Sequence, residues 1–265
     1  MKGKTVIKIL ATLIIITSCA KDGITIQKEE DTRNTEAPIN RDVYIPYRNS
    51  NINKVEILPL TKKRSFIYKE LTSIEKVTAH AELQTKLYTE YDGSYVRIGY
   101  PGGDVGYSTG VCTDVVVRAL RAANIDLQEL IHNDMNKALD VYNRRYKTEH
   151  VDKCIDHRRT QNIQTYLTRL GAKIKVPENL QDCKPGDILF WDIAAGHTGI
   201  VVQSKNEKGT YNVVHNIGGG AETDDTLNWW VPTDVYRLTN SMIKKMQDNC
   251  IFKYDLNKDF EANVR

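Results

Sequence analysis

The chain is poor in cysteine, with five among 265 residues, and no two of them form a Cys-x-x-Cys pair. That removes the local signature of a zinc ribbon or a dithiol redox motif, and the wide spacing is not that of a disulfide-stapled miniprotein. A membrane-spanning run is also missing. The apolar run from Ile9 to Ile16 falls well short of the roughly 20 residues a spanning helix needs. Charge of one sign is not in excess, since 37 Lys and Arg face 34 Asp and Glu for a net charge of +3, which gives no footing for nucleic-acid binding. No internal repeat is present, so solenoid and array architectures are set aside. Partners have to be argued from a site.

Lys2, Lys4 and Lys8 precede that apolar run, and Thr17-Ser18-Cys19 follows it. A charged start, a short apolar stretch and small residues before a cleavage point describe an export signal over 1–18, to be kept out of fold reasoning. Ile16-Thr17-Ser18-Cys19 resembles the lipobox of bacterial lipoproteins, which implies lipidation of Cys19, membrane association through the lipid, and a bacterial envelope location on the periplasmic or cell-surface face. Residues 19–60 are polar, carry Pro38, Pro46 and Pro59, and suit a tether. A single domain over 61–240 and a C-terminal extension over 241–265 complete the expected organisation, with the protein a monomer.

Within the domain, few breakers intervene from Lys62 to about Tyr91, and Ile67, Leu71, Ile74, Val77 and Ala81 allow one or two amphipathic helices. Tyr95 to Tyr100 is extended in character, and Pro101-Gly102-Gly103-Asp104 is a turn. Asn124 to Ile131 reads as a helix end and a loop, Asp134 to Tyr142 as a short helix, and Asn162 to Leu170 as a helix stopped by Gly171. After the turn Pro185-Gly186-Asp187 the pattern becomes that of strands, at Ile188–Trp191, Gly196–Val202 and Tyr211–Asn216, with a hairpin loop at Lys205–Gly209. Gly218-Gly219-Gly220 leaves the sheet. The expectation is an α+β fold with helices packed on a small antiparallel sheet over 187–192, 198–204 and 210–217.

The stretch with most chemistry is Gly110-Val111-Cys112-Thr113-Asp114. Counting from Cys112, apolar residues recur at Val115, Val116, Ala119, Leu120 and Ala123, the spacing of one buried helix face, so Cys112 falls in the first turn and points inward. Ser108 or Thr109 is positioned to cap the helix, and Asp114 complements its dipole. A helix N-terminus favours a thiolate, so Cys112 is a candidate nucleophile, with a packed core thiol as the competing reading. Downstream, His197 opens one strand, and folding the hairpin brings it near His215 or Asn216, either of which would orient it as the base. A metal site on Cys112, His197 and His215 lacks a local ligand motif, so no metal and no cofactor is expected. A disulfide between Cys154 and Cys183 is allowed by the exported location.

Gly110-Val111-Cys112-Thr113-Asp114, Pro185-Gly186-Asp187, His197-Thr198-Gly199-Ile200-Val201 and Val214-His215-Asn216, in this order, resemble the blocks of the NlpC-type cell-wall cysteine peptidases, a branch of the papain-like superfamily. With Tyr95 to Asp104, Asp156-His157-Arg158-Arg159 and His215-Asn216-Ile217-Gly218, the chain is still more similar, over about 78–238, to an uncharacterised bacterial envelope family placed in that branch. The resemblance implies a papain-like NlpC-type fold, Cys112 as nucleophile, His197 as general base and then acid, and His215 as its orienter. Asn216 stays open as the alternative orienter. It departs at Thr113-Asp114, where those peptidases commonly carry a serine and a glycine. The implied substrate is the peptide part of peptidoglycan. Acyl transfer to a lipid or protein, and a noncatalytic envelope binding module, are the alternatives. Tyr100 and Asp114 beside the thiol, and His157, Arg158 and Arg159 for a peptide carboxylate, are the expected substrate contacts, the competing use of the last group being an internal ion-pair cluster.

Overall fold

A computed structural model describes residues 71–255 apart from 88, 143–149, 194 and 229. The expected signal segment, the tether, Cys19 and the start of the domain at 61 lie outside the described residues. The first helix, α1 (Ser73–Gln84), starts where Thr72 and Glu75 cap each other: the Thr72 hydroxyl accepts from the Glu75 amide at 3.3 Å and the Glu75 carboxylate accepts from the Thr72 amide at 2.9 Å. It ends at Gln84, short of Tyr91, up to which few breakers intervene in the sequence. Glu90–Tyr91 (β1) instead pairs in parallel with Thr109–Gly110 (β2), and Tyr95 to Tyr100 between them forms no strand.

The helix α2 (Cys112–Arg121) is buried on every side, not on one face only. Its two arginines are spent on ties to the loops on either side. Arg118 donates to the Asp104 carboxylate at 2.8 and 2.7 Å and to the carbonyls of Gly106 and Thr109, while Arg121 donates to Asp126 at 2.8 Å and to the Gly103 carbonyl. Burial of charge is tolerated because each charge is paired and hydrogen-bonded. Next, α3 (Leu127–Tyr142) replaces the loop expected up to Ile131, with one non-helical residue at Ala138. Asp126 opens it, its carboxylate accepting from the Gln128 amide at 3.3 Å, and Leu127, Leu130, Ile131 and Met135 form its buried face. A 3-10 turn over Asp156–Arg158 leads into α4 (Thr160–Leu170), which Gly171 ends in the left-handed region at φ 84°.

The remaining elements build one antiparallel sheet: β3 (Lys173–Ile174), β4 (Ile188–Trp191), β5 (His197–Lys205), β6 (Tyr211–Asn216), β7 (Ala221–Asp224) and β8 (Asp234–Tyr236), in spatial order β3-β8-β4-β5-β6-β7. The triglycine does not leave the sheet but turns the chain back into β7. Strand alternation divides the core. Ile188, Phe190, Ile200, Val202 and Val214 join Val115, Val116, Ala119 and Leu120 of α2 and the other helices on one face, whereas Leu189, Trp191, Val201, Val213 and Val235 make a smaller cluster on the other. The architecture is therefore mixed α and β with a small antiparallel sheet.

Residues 241–252, the described start of the stretch expected as an extension, pack against the same core. In α5 (Asn240–Asp248), Ile243 and Met246 are buried among the helices, and Gln247 donates to the Ala123 carbonyl at 2.7 Å. The Ile251 and Phe252 amides then donate to the Glu129 carboxylate at 2.9 and 2.7 Å. The four cysteines among the described residues, Cys112, Cys154, Cys183 and Cys250, are free and buried, so the Cys154–Cys183 bridge is not formed. Among the described residues no helix is long and apolar enough to cross a membrane.

Candidate active site

Cys112 is the first residue of α2 and is 4% exposed. Ser108 and Thr109 do not cap this helix. Val111 occupies the cap position, and Asp114 reaches back to accept from the Val111 amide at 2.7 Å. The backbone amides of Thr198, Thr113 and Cys112 itself favour the thiolate, but burial outweighs them, and with the Asp114 charge it pushes the thiol up to about 11. In the resting site, removal of water costs the sulfur more than the helix terminus returns.

His197 and His215 are brought together. His197 Nε2 and His215 Nδ1 lie 2.9 Å apart in a hydrogen bond, with the rings at 78° and centroids 5.0 Å apart. A break in the β5–β6 ladder makes this contact. Continued from the Lys205–Tyr211 pair without interruption, the ladder would set His215 opposite Val201, but the irregularity between Val201 and Lys205 slides it opposite Gly199, two residues from His197. Gly199 is needed there, because a Cβ would stand 2.8 Å from Val213 and 3.1 Å from the His215 Cβ. Trp191 and Trp230 flank His197 at centroid distances of 5.6 and 6.1 Å. Burial, and then the His215 charge, pull the His197 imidazole down to about 4; burial lowers His215 as well, with Asp224 and Glu222 opposing.

Asn216 points the other way. Its Nδ2 donates to the Gly110 carbonyl at 3.3 Å and its Oδ1 accepts from the Gly218 amide at 3.1 Å, so it fastens the turn before Cys112 to β6. Cys112 and His197 share no hydrogen bond. What joins them is Thr198, the residue after His197, whose amide faces the sulfur.

The expected substrate contacts fare differently. Arg158 donates to both Asp114 oxygens at 2.8 and 2.9 Å, and its backbone carbonyl accepts from Thr113 Oγ1 at 2.9 Å. The two ions neutralise each other under the Cys112 turn, so the competing reading of a bracing ion pair describes them, and neither is offered to a carboxylate ligand. His157 is fully buried, and burial followed by the Arg121 charge holds it down at about 3. Arg159 is half-buried beside Asp156. Tyr100 packs on His132 at a centroid distance of 5.1 Å, with the Lys153 ammonium 5.5 Å from its ring. The tyrosine at the thiol is Tyr91, paired through β1 with Gly110, whose phenol is raised by burial and then by Cys112 and Asp114. Its position at a presumed helix end concealed it, and no spacing in the sequence singles it out.

The family model described as "Domain of unknown function (DUF1287)" matches residues 78–238, more than half of the chain. The chain belongs to this family. Cys112, His197, His215 and Asn216 all fall inside the family segment. Within this similarity, the chain is 42% identical over 149 residues to "Uncharacterized protein YijF" of Escherichia coli (strain K12), an alignment spanning 56% of this chain and 73% of that protein. No solved structure matches the chain.

Proposed function

We propose that this chain is a lipid-anchored envelope cysteine hydrolase of papain-like, NlpC-type architecture that cleaves an amide bond in the peptide part of peptidoglycan. The observation that carries the reading is the His197–His215 hydrogen bond, held one residue from the amide that faces the Cys112 sulfur. A hydrogen bond donated by His197 Nε2 to His215 Nδ1 leaves Nδ1 of His197 as a lone pair for the thiol proton. In the resting site both groups are neutral, because burial raises the thiol and lowers the imidazole. Bound substrate brings the carbonyl to Cys112. His197 takes the thiol proton as the C–S bond forms, passes it to the leaving amine, and activates the water that releases the acid from the thioester. The amides at the start of α2 and of Thr198 supply donors for the oxyanion. Tyr91 lines the same turn.

The test is incubation of the full chain with muropeptides and mass analysis of the products. Water-adding cleavage that disappears in Cys112→Ala is the expected result. No cleavage, together with equal muropeptide binding by wild type and Cys112→Ala, assigns a binding module instead, the reading favoured by the buried, un-ionised thiol. With the thiol near 11, iodoacetamide near neutral pH should label native Cys112 at least about tenfold more slowly than free cysteine, as followed by intact mass.

A further inference from the structure

On the side of His215 away from His197, an imidazole nitrogen faces two carboxylates. We propose that His215, Glu222 and Asp224 form a binding site for a divalent transition-metal ion of the Zn2+ class. The three offer one nitrogen and two carboxylate ligand atoms, all within 4.8 Å of one another. Pairing of β6 with β7 assembles them: His215 stands directly opposite Glu222, and Asp224 lies two residues along on the same face. The chain order hides the set, since no local ligand spacing exists.

The acids alone would be unremarkable on an edge strand, and the imidazole is what points to a ligand. His215 is 0% exposed, its Nδ1 is used by His197, and its Nε2 has no hydrogen-bond partner although it is aimed at the acids. Asp224 spends Oδ1 on the Asp225 amide at 2.7 Å and turns Oδ2 towards Nε2 at 3.7 Å. That gap is too long for an N–H···O bond. It is close to the roughly 3.4 Å that separates two ligands on a tetrahedral ion with bonds of about 2.0–2.1 Å. Glu222 is exposed and Asp224 half-buried, so an ion reaches the site from solvent and keeps a position for water.

The site has a consequence that rests on the hydrolase reading above. An ion on Nε2 requires the His215 proton on Nδ1, where it is donated to His197 Nε2. The His197 proton is then on Nδ1, and no lone pair remains for the Cys112 thiol. Occupancy switches the site off by tautomer, without touching the sulfur.

The probe is Co2+ added to the full, untagged chain, followed by displacement with Zn2+. Binding of one ion with d–d absorption but no thiolate charge-transfer band, retained in Cys112→Ala, is expected. Glu222→Gln and Asp224→Asn, both on an open edge, should each weaken binding by about tenfold or more while far-ultraviolet circular dichroism is unchanged. Nitrogen-15 spectra should show the His197 proton moving to Nδ1 on Zn2+ saturation. Unchanged affinity in both carboxamide variants overturns the site, as does a thiolate band that vanishes with Cys112→Ala. Because binding is read without substrate, failure of the hydrolase reading leaves it standing. Hydrolysis that continues at saturating Zn2+ overturns the tautomer link.

Discussion

The two faces of β5 and β6 bury polar groups in opposite ways. On the helix side, Thr198 donates to the Leu189 carbonyl at 2.8 Å, Asn216 is tied to Gly110 and Gly218, and Ile200, Val202 and Val214 fill the rest of the core. On the other side, Gly199 leaves room, His197 and His215 satisfy each other at one nitrogen apiece, and His215 Nε2 is left without a partner. An unsatisfied buried polar atom costs about 1–3 kcal/mol, so the second face gives up stability for an arrangement of imidazoles. The difference separates scaffold from chemistry: the helix side holds the Cys112 turn in place, and the imidazole side is set up to exchange protons or ligands.

The largest expected effect breaks the scaffold side. Arg158→Met removes the guanidinium that pairs with both Asp114 oxygens beneath the Cys112 turn, leaving the Arg118 charge beside it, and should cost up to about 3–5 kcal/mol in urea unfolding. Adding Asp114→Leu should return only part of that loss, since the buried charge is then gone but the Val111 amide loses its acceptor. No recovery in the double variant would mean that the pair does more than neutralise itself.

His215 and Asn216 sharpen the comparison because they are neighbours on opposite faces. His215→Ala should lower turnover by about 10²- to 10³-fold with little change in substrate KM, since it removes the group that fixes the His197 tautomer. Asn216→Ala should act mainly on stability, by about 1–3 kcal/mol, through loss of the Gly110 tie. The reverse ranking, with both variants folded, gives the orienting role to Asn216.

The pH-dependent effect belongs to the helix side. His157 and His80 are buried neutral and held down at about 3, first by burial, then by Arg121 and Arg158 for His157 and by Arg118 for His80, against Asp126 and Asp104. Between that value and 6.5 the unfolded chain binds protons that the folded one does not. Stability is therefore complete above about pH 6.5 and falls as pH drops towards 3, by at most about 1.4 kcal/mol per pH unit for each group. His157→Leu should flatten the slope measured by thermal unfolding between pH 4 and 6.5. An unchanged slope would show that other groups carry it.

The helix starting at Cys112, the hairpin strands and the Gly171 stop were legible because each rests on local signals: apolar spacing, β-branched runs and a glycine that adopts positive φ. The start of α3 was misread because Asn124 looked like an ending, although Asp126 caps the next helix two residues on. The ion pair of Asp114 with Arg158 joins positions 44 residues apart and has no local trace. Residue types alone marked both as polar candidates for a ligand, when each was already the other's partner.

By itself, the order of residues determined which groups lie at element starts: a thiol at a helix N-terminus, an imidazole at the head of a strand, and a histidine beside an asparagine one strand later. Only the tertiary structure decided that His215 meets His197: the pairing of β5 with β6 puts it on that face, and the slip of the ladder carries it from opposite Val201 to opposite Gly199, a compromise between two strands that neither encodes alone. It also decided the ionisation of Cys112, since a helix dipole acts over one turn whereas desolvation is imposed by every element packed around the sulfur.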